Sequence, residues 1–271
     1  METMCKISAS IVLYHNFDKA RLALDSILES KLNIKIMLID NSSQILADKP
    51  LDCRVEYVFT GQNLGFGAGH NIAIKDAIKG GYDYHFVVNP DVYFNPGVIE
   101  EMIKYMADHS DVGMMMPKIL NEDGSIQHLP KLLPHPFWIL RRKLKKLDRR
   151  YKKFVDMYEF RNVPEDKIYN APVLSGCFSL LNLEAIKQVG AYDDTFFMYF
   201  EDFDLSRRIH KEYKTLYFPE VFIFHGYESG ANKSLKLLKI FLKSMVVYFN
   251  KWGWCFDEER KQANKKTLSQ F

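Results

Sequence analysis

The feature that most constrains the fold is a regular alternation of two hydrophobic periods in the first half of the chain. Ile7 to Tyr14, Ile34 to Ile39, Val55 to Phe59, Tyr84 to Val88 and Val112 to Met116 are short apolar runs that read as buried strands. Between them lie segments with helical spacing. Asn16 can cap a helix through Ser30, on which Leu22, Ile27 and Leu28 are apolar. A glycine-rich turn opens a helix from about Ala68 to Lys79, stopped by Gly80-Gly81. Asn95-Pro96 reads as a cap and first-turn proline for a helix through about Ala107. Such alternation argues for a parallel sheet covered by helices on both faces. Ligands of open α/β sheets bind beyond the carboxyl ends of the strands, so Tyr14, Asp40, Asn63 and Asp91 are expected to converge there.

The second half is less regular. Residues 121–170 are rich in Pro, Lys and Arg and read as a long excursion. A strand from Val173 to Leu181 follows, then a short helix capped by Asn182 and ended at Gly190. Thr215 to Phe218 and Val221 to Phe224 are further strands, the last running into His225. One main domain over 1–232 is expected, with a basic, amphipathic helical extension over 233–271.

Chemistry concentrates in Phe196-Phe197-Met198-Tyr199-Phe200-Glu201-Asp202-Phe203-Asp204-Leu205, where three acids sit in an aromatic run. An unpaired carboxylate is costly to hold in such surroundings. From Glu201 to His210 the pattern is helical. Asp202 shares a face with Leu205 and Ile209, whereas Asp204 faces Arg207 and Arg208 at i+3 and i+4. Asp202 therefore reads as an acid kept for chemistry and Asp204 as one kept for structure. The alternative for Asp202 is the ordinary preference of an acid for a helix N-terminus.

Three further groups stand out. Asn89-Pro90-Asp91 ends a strand, and its carboxylate suits a hard divalent cation or, more plainly, an Asx-Pro turn. Asn63-Leu64-Gly65-Phe66-Gly67-Ala68-Gly69-His70-Asn71 has glycines that let backbone amides approach a ligand, or that permit close packing. It is not the dinucleotide fingerprint, because the spacing differs and Tyr14-His15-Asn16 has no glycine. His225, followed by Gly226, is placed as either a structural histidine or a ligand.

In this order the motifs resemble family 2 glycosyltransferases of the GT-A fold, in the branch containing bacterial rhamnosyltransferases of surface-polysaccharide assembly. The matching residues are Ile11-Val12-Leu13-Tyr14 with Asn16, Ile39-Asp40-Asn41-Ser42, the Asn63–Asn71 run, and Val88-Asn89-Pro90-Asp91-Val92. They continue through Ser175-Gly176, Gly190-Ala191-Tyr192-Asp193, the acidic helix and His225-Gly226.

The resemblance implies a Rossmann-like, mostly parallel sheet with a nucleotide-sugar half (1–120) and a smaller mixed acceptor half (121–232). It implies that Tyr14, Asp40, Asn63, Gly65, Phe66, Asn89, Asp91, Ser175 and Gly176 bind the donor. Asp91 and His225 would hold Mn2+ or Mg2+, with Tyr199 and Glu201 on the acceptor side. Asp202 would be the base of an inverting transfer, which needs no second carboxylate as nucleophile. The donor implied is dTDP-rhamnose, with a UDP-hexose as runner-up, and the acceptor a saccharide or lipid-linked saccharide. An idle nucleotide-sugar or glycan-binding protein on the same scaffold is the alternative of another class. Asn89 replaces the first acid of the usual Asp-x-Asp motif, Leu181-Asn182 stands where relatives often carry arginines, and the Q-x-x-R-W pattern of processive synthases is absent.

The net charge of +3 is ordinary, but its distribution is uneven. Residues 141–153 form a dense basic block. Asn232 to Lys251 carries Lys233, Lys236, Lys239 and Lys243 among Leu237, Leu238, Phe241, Met245 and Val246, with no acid. Both suit an anionic membrane surface or a solvated face, and the second also suits packing on the domain or on another chain, as in a homo-oligomer. No nucleic-acid motif accompanies them, so nucleic acid is not an expected partner. Cys5, Cys53, Cys177 and Cys255 are scattered, without a zinc or disulfide pattern. There is no secretory signal pattern and no run of roughly 20 apolar residues, so a cytoplasmic protein, peripheral on the inner face of the cell membrane, is expected.

Overall fold

The computed structural model describes residues 5–15, 17–46, 52–143, 149–226 and 234–271. Asn16, residues 144–148 of the basic block, Asn232 and Lys233 lie outside the described residues.

The strands are β1 (Ile7–Leu13), β2 (Ile34–Asp40), β3 (Val55–Phe59), β4 (Tyr84–Val88), β5 (Val92–Tyr93), β6 (Val112–Leu120), β7 (Tyr169–Asn170), β8 (Phe178–Asn182) and β9 (Lys214–His225). The helices are α1 (Phe17–Leu28), α2 (Phe66–Lys79), α3 (Val98–Asp108), α4 (Pro136–Lys143), α5 (Arg149–Tyr158), α6 (Leu183–Val189), α7 (Glu201–Glu212), α8 (Leu235–Trp252) and α9 (Glu258–Leu268).

Among the described residues the strands form one sheet in the order β3-β2-β1-β4-β8-β6-β9-β5, with β7 on β9. The first four are parallel, as the alternation predicts. The second half departs from it. β8 is antiparallel to both β4 and β6, and β5 and β7 are antiparallel to β9. Sequence periodicity cannot separate these cases, since a strand buried on both faces reads the same in either direction. The helices cover both faces. α2, α6 and α7 pack together on one. On the other, Ser30, just past α1, donates to Glu100 of α3 at 2.7 Å.

Several boundaries move. α2 begins at Phe66 rather than Ala68. Gly97, with φ 98°, caps α3 in place of Asn95. The strand expected from Val173 shortens to Phe178–Asn182, because residues 175–177 make a turn. The 121–170 excursion contains α4 and α5, held face to face by stacking of Trp138 on Phe154, with ring centroids 4.0 Å apart. The two short strands near residue 220 are one continuous strand, β9.

α8 and α9 are tied back to the sheet domain. Arg207 of α7, 2% exposed, makes a two-pronged ion pair with Asp257 at 2.8 and 2.9 Å and lies over the Trp252 ring. This corrects the expectation that Arg207 serves Asp204. The fully buried Asp204 takes Arg208, Trp252 Nε1 and Lys251 instead. Asn264 of α9 brackets the Leu133 backbone, donating to its carbonyl and accepting from its amide.

Removing one partner of a buried ion pair strands the other charge. Asp257→Ala is expected to cost about 3 kcal/mol in urea unfolding. A loss below about 1 kcal/mol would show that Glu259 alone can hold Arg207.

Candidate active site

A parallel sheet whose order runs 3-2-1-4 has its topological switch between β1 and β4, and a crevice opens beyond their carboxyl ends. Tyr14 and His15 leave β1 there, and Asn89-Pro90-Asp91 leaves β4. Antiparallel β8 decides what joins them. Because Val88 pairs with Phe178, the turn that precedes β8 lands on the same edge. Asn89 N donates to Cys177 O at 2.8 Å, which fixes Ser175-Gly176-Cys177 beside Asp91.

Beyond the ends of β1 and β2, Leu13, His15, Asp40, Ser42, Ile45 and Leu46 line a cleft of about 390 Å³. Tyr14 is 48% exposed, with its ring edge-on to His15. Asp40 is 1% exposed, and both of its oxygens are engaged. Ser42 N donates to one at 2.9 Å and the Tyr57 hydroxyl to the other at 2.6 Å. Burial raises the Tyr57 hydroxyl pKa, and the bond to Asp40 adds to the rise.

The glycines are accounted for by contacts within the protein. A Cβ at Gly65, whose φ is 90°, would stand 2.1 Å from Phe197 O. One at Gly67 would meet Tyr192 at 2.9 Å, and one at Gly69 would meet Val12 at 2.9 Å. The Gly65 amide donates to Asn63 Oδ1, and the Phe66 amide to Phe197 O. Asn41, which sequence reasoning left without a task, donates to Gly65 O at 3.1 Å and ties β2 to this turn. His70 is a core histidine, bonded to Ser10 at 2.7 Å and held neutral by burial.

The acidic helix enters from the far side. Tyr199 and Phe200 both have left-handed φ, 69° and 68°, at a cost of roughly 1–3 kcal/mol each. That turn aims the first residues of α7 at Gly176. Asp202 is half-buried, and the Gly176 and Phe203 amides bond its carboxylate. A Cβ on Gly176 would lie 3.6 Å from Asp202 Cβ and 3.0 Å from the Phe66 ring. Burial raises the Asp202 pKa against the opposing pull of Lys131 and these amides. Glu201, 6% exposed, is raised well above the usual carboxyl range by burial and then by Asp202, and its Oε2 is buried without a hydrogen-bond partner among the described residues.

Asp91 and Asp202 both border the Ser175-Gly176-Cys177 turn. Burial pushes the Cys177 thiol up to about 12, and both carboxylates add to that rise. Beside Asp91 stands His225. Both amide hydrogens of Gln127 are spent, on Asn121 Oδ1 at 2.8 Å and His225 O at 2.9 Å. Gln127 Oε1 must therefore accept from His225 Nδ1, 3.0 Å away, while Asn89 Nδ2 lies 3.3 Å from His225 Nε2. That ring nitrogen lies 3.4 Å from Asp91 Oδ1, which is itself buried without a hydrogen-bond partner among the described residues. Gln127 had no signal in the sequence, because it lies in the irregular excursion. A cleft of about 520 Å³ opens below, lined by Asp91, His225, Glu122 and Lys19 among others. No group of three or more His, Cys, Asp or Glu gathers as a metal site among the described residues.

Residues 8–190 match the family model for glycosyl transferase family 2. The chain belongs to that family. It is 28% identical over 223 residues to the N-acetylglucosaminyl-diphospho-decaprenol L-rhamnosyltransferase of Mycobacterium tuberculosis, covering 73% of this chain and 68% of the relative. It is 24% identical over 250 residues to the rhamnosyltransferase WbbL of Escherichia coli K12, covering 88% and 90%. Among solved structures, GalNAc-T7 with UDP, GalNAc and Mn2+ superposes with a TM-score of 0.61 at 15% identity, over 91% of this chain and 48% of that one. S. aureus TarS superposes with 0.59 at 11% identity, over 98% and 43%. The chain thus spans under half the length of these two structures, and at such identities they show the fold alone: GT-A. This family 2 protein is a glycosyltransferase, and its curated relatives are rhamnosyltransferases.

The raised Glu201 carboxyl has a consequence for stability. Above its ordinary pKa of 4.5 the unfolded chain gives up this proton while the folded chain keeps it, so stability falls as pH rises through that window. Glu201→Gln removes that dependence. The variant's melting temperature relative to wild type should rise from about pH 4.5 towards neutrality. A difference that stays constant over this range would mean that Glu201 ionises as freely folded as unfolded.

Proposed function

We propose that this glycosyltransferase moves rhamnose from dTDP-rhamnose to a lipid-linked saccharide, with inversion at the anomeric carbon. The observation that carries the reading is the placement of Asp202. Asp202 is half-buried, burial raises its pKa, and it lies beside Gly176, on the turn that also neighbours Asp91. The names of the two curated relatives support rhamnose, and that of the mycobacterial one supports a lipid-linked acceptor.

In this reading the nucleotide base lies against Asp40, with Tyr14 beside it. Tyr57 and Ser42 hold the Asp40 carboxylate in place. The diphosphate lies along Asn89, Asp91 and the Ser175-Gly176 turn. Asp91 Oδ1, buried without a hydrogen-bond partner among the described residues, is an electron-rich oxygen that suits a hard divalent cation, and His225 Nε2, which Asn89 Nδ2 approaches to 3.3 Å, stands 3.4 Å from it. Mn2+ or Mg2+ bound there supplies charge neutralisation for the leaving diphosphate. Asp202 takes the proton from the acceptor hydroxyl as its oxygen bonds to the anomeric carbon. The bond from that carbon to the diphosphate oxygen breaks, and its electron pair leaves with the nucleotide. Burial, and then the neighbouring Asp202, favour the protonated form of Glu201.

Asp202→Asn is expected to lower kcat about 10²-fold or more with donor affinity near normal. Undiminished turnover removes Asp202 from the base role. Asp91→Ala should weaken Mn2+-dependent donor binding in calorimetry. Donor affinity unchanged both by this substitution and by chelation would sink the metal assignment. A thermal-shift screen of dTDP-rhamnose against UDP-glucose and UDP-galactose decides the donor, and tight binding without turnover of any donor would favour an idle binding protein.

A further inference from the structure

α8 has two apolar faces, and only one of them is used inside the fold. The inner face carries Met245, Tyr248 and Phe249, buried against Phe196 and Phe200, with Phe241 packed at the edge of the cluster. It clamps the turn that leads to the acidic helix. Ser244 donates to Met198 O at 2.8 Å, and the Phe241 ring meets Tyr199 at 5.7 Å.

The outer face is unusual. Leu235, Lys239, Leu242 and Val246 follow one another at spacings of four, three and four, which is a single stripe of a helix. Leu235 is 78% exposed, Leu242 37% and Val246 41%. Lys236 and Lys243, also exposed, flank the stripe. No ion pair engages these three lysines among the described residues, and residues 234–256 contain no acid. α4 continues the surface, because its Ile139 packs on the same buried cluster while Phe137 and Leu140 stay 55% and 44% exposed.

Leucines and phenylalanines set among unpaired lysines match a bilayer's headgroup boundary in both polarity and charge. A second copy of the chain fits less well. A two-fold contact would lay each lysine-bearing stripe on its twin, with no acid to offset the repulsion. We propose that the outer face of α8, with the adjoining turn of α4, docks on an anionic lipid surface. This deepens the lipid-linked acceptor reading above, and rests on it for its purpose though not for the binding itself. Docking there sets the turn before Asp202 close to the bilayer, where the sugar of a lipid-linked acceptor resides. No helix among the described residues is long and apolar enough to cross a membrane, so the contact is with the surface.

The test is co-sedimentation of the full chain with vesicles of phosphatidylcholine, with and without about one-third phosphatidylglycerol. Binding is expected only to the anionic vesicles, and release at high salt. Each lysine near such a surface contributes about fivefold, so the K236Q/K239Q/K243Q variant should partition about 10²-fold less. The L235N/L242N/V246N variant should also bind more weakly, while both keep the wild-type thermal shift with nucleotide and wild-type turnover of a water-soluble acceptor. The proposal is overturned by absence of vesicle binding at low salt, or by equal binding to neutral vesicles. It is also overturned if both variants bind like wild type, or if Leu242→Glu dissociates a dimer in solution, which would assign the face to a second copy. Sugar transfer without docking removes this proposal alone. Docking without transfer from any donor removes the catalytic reading and leaves the surface standing.

Discussion

The cleft depends on a contact that only glycine permits. Gly65 lies so close to the Phe197 carbonyl that any Cβ would sit inside it, and its φ of 90° is one that side chains rarely adopt. Through that gap the Phe66 amide reaches Phe197 O. The turn that opens α2 is thereby joined to the turn that opens α7, although more than a hundred residues separate them. With Asn41 bonded to Gly65 and Asn71 bonded to the Tyr192 backbone, the first parallel strands and the acidic helix are held in one frame.

That frame explains the left-handed pair Tyr199 and Phe200. Isolated, the turn would relax. Here it is over-determined: Phe197 is fixed by α2, Met198 by Ser244, and the Phe200 ring by Tyr248 and Phe249. The held strain turns α7 so that its first residues meet Gly176, while its later ones, Leu205 and Ile209, stay in the core. Two neighbouring carboxyls are therefore exposed to different degrees, and burial raises both of them. The C-terminal helices belong to the same machinery, since α8 buttresses the turn and Asp257 neutralises Arg207 beneath it.

Much of this was legible in the chain. The parallel first half followed from the two hydrophobic periods, and Asp40, Asn89 and Asp91 fell at strand ends because polar residues stop apolar runs. The separation of Asp202 from Asp204 was also readable, since helical spacing alone gives Asp204 an arginine at i+4 and gives Asp202 none. Arg207 was misjudged for the same reason. Spacing along one helix says nothing of Asp257, fifty residues away, whose two-pronged geometry outcompetes a local partner.

By itself, then, the sequence determined which residues carry charge, which segments must be buried, and where strands end. These are properties of local pattern and of the cost of hiding polar atoms. Only the tertiary structure decided the direction of β8, the bond between His225 and Gln127, and the burial of the glycines against Phe197, Tyr192 and Val12. Each of those rests on a neighbour distant in sequence, and no window of local periodicity contains the partner that fixes it.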